Sequence, residues 1–190
     1  WEQRSITYKI PDNNDCKSWH RMGNAILPIG PKARNLNRET AIGMQLQTWQ
    51  SRGVLSGLPA ESADIAQLKS WEDESQPLEQ RARAYLEINC GHCHSPKGPA
   101  NNTALNLNIE ESAPHKLGFC KGPVSAAQGS GDLRFDIVAG NPDASILLYR
   151  MNSVETGVSM PELGKSLVHE EGVALIREWI ASMETGSCAE

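Results

Sequence analysis

Residues Cys90-Gly91-His92-Cys93-His94 spell C-x-x-C-H in a chain of 190 residues, and no other feature constrains the fold as tightly. Two thiols at this spacing, with a histidine directly after the second, form the attachment signature of c-type haem. Each residue type has a chemical task there. The thiols add across the porphyrin vinyl groups to give thioethers, and the adjacent imidazole ligates the iron on its proximal side through Nε2. C-x-x-C alone also serves zinc sites and redox dithiols. A tetrahedral zinc site wants a second C-x-x-C or a spaced histidine pair, and neither follows. A thioredoxin-like dithiol sits at a strand-to-helix junction of a βαβ unit, whereas a helical pattern precedes Cys90. The motif therefore predicts one covalent haem c, bound by Cys90 and Cys93 with His94 on the metal.

The pattern around the motif divides the chain into a loop-rich segment over 1–75 and a helical segment over 76–190. Ser70-Trp71-Glu72-Asp73-Glu74-Ser75-Gln76-Pro77, polar and closed by proline, reads as the connector. Leu78, Ala82, Tyr85, Leu86 and Asn89 recur at three-to-four spacing, which predicts an amphipathic helix over 77–90 with Pro77 in its first turn. Leu175, Ile176, Trp179, Ile180 and Met183 form a second stripe near the other end. Ser166 is a candidate cap there, and Glu170 and Glu171 suit the positive end of the helix. One helix entering the motif and one later in the chain suit a crossed pair beside a porphyrin.

Between Ser95 and Asn141 the chain is rich in Gly, Pro, Asn and Ser, as expected of a long loop wrapping a cofactor edge. Residues 134–139 read as a short extended stretch, and Pro142–Arg150 as a capped helix. In the first segment, Thr40–Trp49 is helical in character, with Gly53 or Gly57 to end it. No solenoid repeat or low-complexity tract is present.

A haem iron with one histidine needs a sixth ligand or an open site, and that choice separates electron transfer from catalysis. The chain has five methionines, Met22, Met44, Met151, Met160 and Met183. Met160 is the leading candidate, because Gly157-Val158-Ser159-Met160-Pro161-Glu162-Leu163-Gly164 presents it on a proline-stiffened loop ahead of the later helix. Met151 comes second, and Met183 belongs to a packing stripe. Any methionine can also be a gap-filling core residue.

This order of helix, C-x-x-C-H, variable loop, Met-Pro loop and closing helix resembles class I c-type cytochromes over residues 77–185. The resemblance implies a mainly α, cytochrome c-like helical haem domain, with Cys90 and Cys93 as thioether donors, His94 as proximal ligand and Met160 as distal ligand. The whole chain also resembles an uncharacterised bacterial family of exported haem c-containing proteins. The matching runs are Tyr8-Lys9-Ile10-Pro11, Pro28–Asn37, Arg81–Leu86 and Met160–Gly164. Members of that family often carry an earlier C-x-x-C-H. Here Cys16-Lys17-Ser18-Trp19-His20 has tryptophan where the second cysteine would stand. The expectation is a degenerate site whose indole fills the space. A second haem on Cys16 and His20, with Met22 or Met44 as its distal ligand, is the disfavoured alternative.

Cys16, Cys120 and Cys188 remain, so the chain can hold at most one internal bridge among them. Cys120–Cys188 is favoured, tying the long loop to the segment after the closing helix. Cys16–Cys120 would instead join the two segments, and spacing does not decide between them. His92 is expected to face solvent, and His115 and His169 to have surface roles. Asn101-Asn102-Thr103 is a sequon relevant only to a eukaryotic secretory route.

A net charge of −5 argues against a nucleic-acid partner, and no stretch approaches a transmembrane span. Aromatics at 5% are a modest supply for a core, which a haem disc would supplement. Covalent haem attachment takes place outside the cytoplasm, so the expected location is periplasmic or otherwise exported, and the absence of a leader before Trp1 reads as processing or truncation. The expected function is single-electron transfer to a redox protein partner by an exported c-type cytochrome, more an electron carrier than an enzyme. The alternatives are a haem-dependent oxidoreductase of peroxidase or dehydrogenase type, or its electron-accepting subunit, and a non-redox module that uses haem mainly as core.

Overall fold

The apolar stripe that begins at Leu78 becomes helix α4 (Leu78–Asn89), and the later one becomes α7 (Glu170–Ala181). The two pack against each other, burying Ala82, Tyr85 and Leu86 of the first and Leu175, Ile176, Trp179 and Ile180 of the second. A computed structural model describes residues 3–59, 64–186 and 188. The outer limits of both expected segments therefore lie outside the described residues.

Seven α-helices and two small sheets occur among the described residues. The first segment holds α1 (Asn13–Trp19), the ribbon β1 (Arg21–Met22) and β2 (Ala25–Ile26), α2 (Ala33–Leu36), the ribbon β3 (Glu39–Thr40) and β4 (Gly43–Met44), and α3 (Gln45–Ser51). After α4 come α5 (Pro114–Leu117), α6 (Ile146–Met151) and α7. Both ribbons are antiparallel, pairing Arg21 with Ile26 and Glu39 with Met44. With 34% of residues helical, the architecture is mixed and less helical than the mainly α expectation.

Several local expectations are corrected by identifiable side chains. The helix expected over 40–49 starts only at Gln45, because Gly43 takes φ +95° and the Thr40 hydroxyl donates to the Gly43 carbonyl at 2.9 Å, closing a turn. The helix expected over 142–150 is broken at Ser145, whose backbone is extended. Its hydroxyl donates to the Asn141 carbonyl and accepts the Val138 N–H, at 3.0 and 2.9 Å. Residues 134–139 contribute isolated bridges rather than a strand. Pro77 stands at the N-cap of α4, one residue before its first turn, and α7 is preceded by His169, not Ser166.

The apolar stripe of α4 is only half of its buried surface. Arg83 and Glu87, on the other side of the helix, are also buried. Glu87 accepts from Lys32 Nζ at 2.5 Å, Arg34 Nη2 at 3.0 Å and the Ile109 N–H at 2.8 Å. Arg83 donates to the carbonyls of Asn108, Ile109 and Glu111. Buried charges persist when polar partners replace much of the water they lost, although Arg83 Nε and Arg34 Nε are buried without a hydrogen-bond partner among the described residues. These contacts tie the first segment and the long loop to the helix. The connector is anchored too, with Trp71 edge-on to Tyr85 at 5.7 Å and to His169 at 5.2 Å.

The approach of α7 to α4 depends on Gly172. A Cβ there would lie 2.1 Å from Tyr85 Oη and 2.6 Å from His169 Nδ1. Tyr85 Oη is itself bonded to His169 Nδ1 at 2.9 Å, and burial pushes its hydroxyl up to about 12. His169 is thus a packing partner as well as a surface group. Beyond α7, Cys188 is bridged to Cys120, which is the pairing favoured from sequence.

Replacing glycine by alanine in an open helix adds about 1 kcal/mol of stability. Gly172→Ala is expected to do the opposite, lowering stability by about 1–3 kcal/mol in thermal or urea unfolding, because the methyl has no space. Cys188→Ser is expected to cost about 2–4 kcal/mol in the same measurement, by releasing the constraint on the unfolded chain.

Candidate functional site

Helix α4 ends at Cys90, and the five motif residues form one tight turn. The N–H groups of Cys90 and Gly91 donate to the Leu86 carbonyl, and those of Cys93 and His94 to the Cys90 carbonyl at 3.1 and 2.9 Å. Two glycines make this turn possible. A Cβ on Gly91 would meet the Glu87 carbonyl at 2.9 Å, and one on Gly98 would lie 2.2 Å from the Cys93 carbonyl oxygen. Backbone 98 therefore rests directly on the motif. The Leu107 N–H then donates to the His94 carbonyl at 2.8 Å, fixing the turn from below the long loop.

Cys90 and Cys93 are free thiols, not a disulfide. Burial, then the neighbouring Cys93, pushes the Cys90 thiol up to about 12. Burial, then Glu162, raises that of Cys93. Both directions are opposite to those of a reactive redox dithiol, whose attacking thiol is lowered. Burial, with Arg150 and Lys121 adding cationic charge nearby, brings His94 down to about 4, so its ring is neutral at pH 7.

The tautomer of His94 follows from Thr103. The Thr103 hydroxyl gives its single proton to the Ala100 carbonyl at 2.7 Å, and it accepts the Leu105 N–H at 3.3 Å. Toward His94 Nδ1, 3.3 Å away, the oxygen can only accept. Nδ1 therefore carries the hydrogen and Nε2 keeps its lone pair. An imidazole held this way is oriented as a metal ligand, with a second partner fixing the ring. Thr103 was read from sequence only as part of a sequon. Its distance along a loop without periodicity left no signal for this role.

The Met160 loop lies alongside the same turn. Glu162 is near enough to raise the Cys93 thiol, and Lys165 acts on Cys90 in the opposite direction. Lys165 Nζ donates to the carbonyls of Met160 and Met151 at 3.0 and 2.5 Å. The Met160 N–H donates to the Arg150 carbonyl at 3.0 Å, and Arg150 Nε donates to that of Val158 at 2.9 Å. Lys165 and Arg150, neither foreseen from sequence, thus shape the loop. Met151 is buried in the core, and Met183 packs against it.

The earlier cysteine lies in α1, exposed at Cys16. His20 Nδ1 donates to the Leu27 carbonyl at 3.0 Å, so this nitrogen carries a hydrogen. Met22 lines a cavity of about 300 Å³ with Lys32, Gly91, His92, Pro96 and Asn108. His92 is not turned to solvent as expected, since its Nε2 donates to the Trp19 carbonyl at 2.6 Å. Among the described residues, no group of three or more His, Cys, Asp or Glu side chains is placed to hold a metal ion. No helix among them is long and apolar enough to cross a membrane.

In comparisons with known proteins, no family model, no curated protein and no solved structure matches this chain. The chemistry of the donor set fits haem c: two unpaired thiols in one turn, an adjacent imidazole whose Nε2 carries no hydrogen, and a methionine-bearing loop beside them.

Thr103→Val removes the acceptor of the His94 Nδ1–H. The expected result is a loss of about 1–2 kcal/mol in unfolding. In the haem-free polypeptide, imidazole ¹⁵N shifts are expected to show a mixture of tautomers where the unsubstituted chain has one.

Proposed function

We propose that this chain is an exported c-type cytochrome that transfers single electrons, with a haem attached to Cys90 and Cys93 and ligated by His94 and Met160. The observation that carries this reading is the motif turn: two thiols not bonded to each other, next to an imidazole whose Nδ1 is occupied by Thr103. When bound, haem c supplies a one-electron Fe(III)/Fe(II) couple, which thioether ligation shifts toward Fe(II).

The chain's own residues account for the remaining work. Thr103 orients His94, and Arg150 and Lys165 hold the backbone of the Met160 loop through its carbonyls. The α4–α7 pair, the long intervening loop and the Met160 loop follow the class I cytochrome order. Arg150 and Lys121 place positive charge near His94, which disfavours the oxidised, more positive state of a group bound there. The Cys120–Cys188 bridge favours an oxidising compartment such as the periplasm. The acidic balance of the whole chain suits a redox partner with a basic patch, met in a brief encounter.

Production in a host with exported haem-attachment machinery tests this. Intact mass is expected to increase by one haem, and Cys90→Ser, Cys93→Ser is expected to return the bare polypeptide. The oxidised protein should show a weak long-wavelength sulfur-to-iron band that Met160→Ala abolishes. An unmodified mass in the parent protein would overturn the proposal. A high-spin ferric spectrum with ready cyanide uptake would instead favour an open-site haem enzyme.

A further inference from the structure

Trp19 occupies the position that a second cysteine takes in an intact C-x-x-C-H, yet it touches two parts of the site at once. Its carbonyl accepts the His92 Nε2–H at 2.6 Å, inside the turn that bears Cys90, Cys93 and His94. Its indole rests on Gly164 in the Met160 loop, where a Cβ on that glycine would lie 3.1 Å from Trp19 Cη2 and 3.4 Å from Cζ3. Gly164 also takes φ +69°, which favours glycine over other residues for its backbone as well as for its contact.

The position of Trp19 is fixed by its own surroundings. It is the last residue of α1, whose first turn is closed by a reciprocal cap. The Asp12 carboxylate accepts from Asn14 and Asp15, and that of Asp15 accepts from Asp12. Immediately after it, His20 is bonded to Leu27 across the β1–β2 ribbon. The Gly23 N–H donates to the Lys97 carbonyl at 2.8 Å, fixing the same ribbon to the chain that follows the motif. The indole thus sits on a braced element that is attached to one loop and pressed against the other.

We propose that Trp19 is a positioning residue that latches the Met160 loop to the C-x-x-C-H turn and so keeps the Met160 thioether in place. Lys165 and Arg150 hold the backbone near Met160, but Gly164, at the far end of that loop, is packed by Trp19. Loops open locally when few apolar contacts hold them, so removing the indole loosens this end without dismantling the α4–α7 core. The inference rests on the haem attachment proposed above.

The test uses the full chain as the parent protein, Trp19→Ala, Trp19→Phe and His92→Ala, each checked first for haem mass and for far-UV circular dichroism. Stopped-flow binding of imidazole to the oxidised protein then reports how often the Met160 side opens. Trp19→Ala is expected to speed binding by about tenfold or more, and by more than its loss of global stability in urea accounts for. Trp19→Phe, which keeps a ring on Gly164, is expected to stay near the parent rate, and His92→Ala to move in the same direction as Trp19→Ala by less. A haem-bearing, folded Trp19→Ala that binds imidazole at the parent rate overturns the latch. If Trp19→Ala does not accumulate, His92→Ala decides by the same criterion. An unmodified mass in the parent protein overturns the haem reading, an outcome distinct from an unchanged rate.

Discussion

The absence of a side chain at Gly172 lets α7 come within reach of the Tyr85 hydroxyl, and the rest of the site is built outward from that contact. Tyr85 lies on α4 five residues before Cys90, so setting this helix against α7 also sets where the motif turn begins. On its opposite side, α4 is held by Glu87 and Arg83, whose partners come from the first segment and from the loop after the motif. The helix is therefore fixed on two faces by different forces. Apolar burial, worth about 1.5–3 kcal/mol for a fully buried large side chain, holds one face. Buried charge, paired through Glu87 and through the Arg83 terminal nitrogen, holds the other, where it sets register and position more than it adds net stability.

Periodicity and composition made the central frame readable. The stripes of α4 and α7 repeat at helical spacing with residues of high burial, and the thiol-histidine motif is a matter of local order along the chain. The Cys120–Cys188 pairing is favoured from sequence only as a tie between the long loop and the segment after the closing helix, with Cys16–Cys120 left open, and it is the bridge the structure holds. What could not be read was set by contacts between distant residues or by single backbone angles. The turn at 40–44 depends on one hydroxyl and one left-handed glycine, which a helical window averages away. The break at Ser145 depends on a hydroxyl bonded to residues 138 and 141, so local preference for a continuous helix lost to the tertiary setting.

The same distinction runs through the site. Cys90, Cys93 and His94 are neighbours in sequence and remain neighbours in space. Thr103 reaches His94 through a loop without periodicity, and Lys165 reaches the Met160 carbonyl by turning back on its own loop. Trp19 was expected only to fill the place of a missing thiol. Its two contacts reach His92, 73 residues along the chain, and the still more distant Gly164, which no pattern along the sequence encodes. Cationic side chains from three separate stretches, Lys121, Arg150 and Lys165, surround the motif of a chain whose total charge is negative.

The bridge between Cys120 and Cys188 also orders events during synthesis. Cys188 is made after α7, so the crosslink can close only once the whole helical frame has left the ribosome. In an oxidising compartment, Cys16, Cys90, Cys93 and Cys120 would all be available before Cys188 arrives, so the correct sorting of thiols has to be a late step. A nascent chain that paired Cys90 with Cys93 early would consume both sulfurs of the motif and still leave Cys120 waiting for its partner.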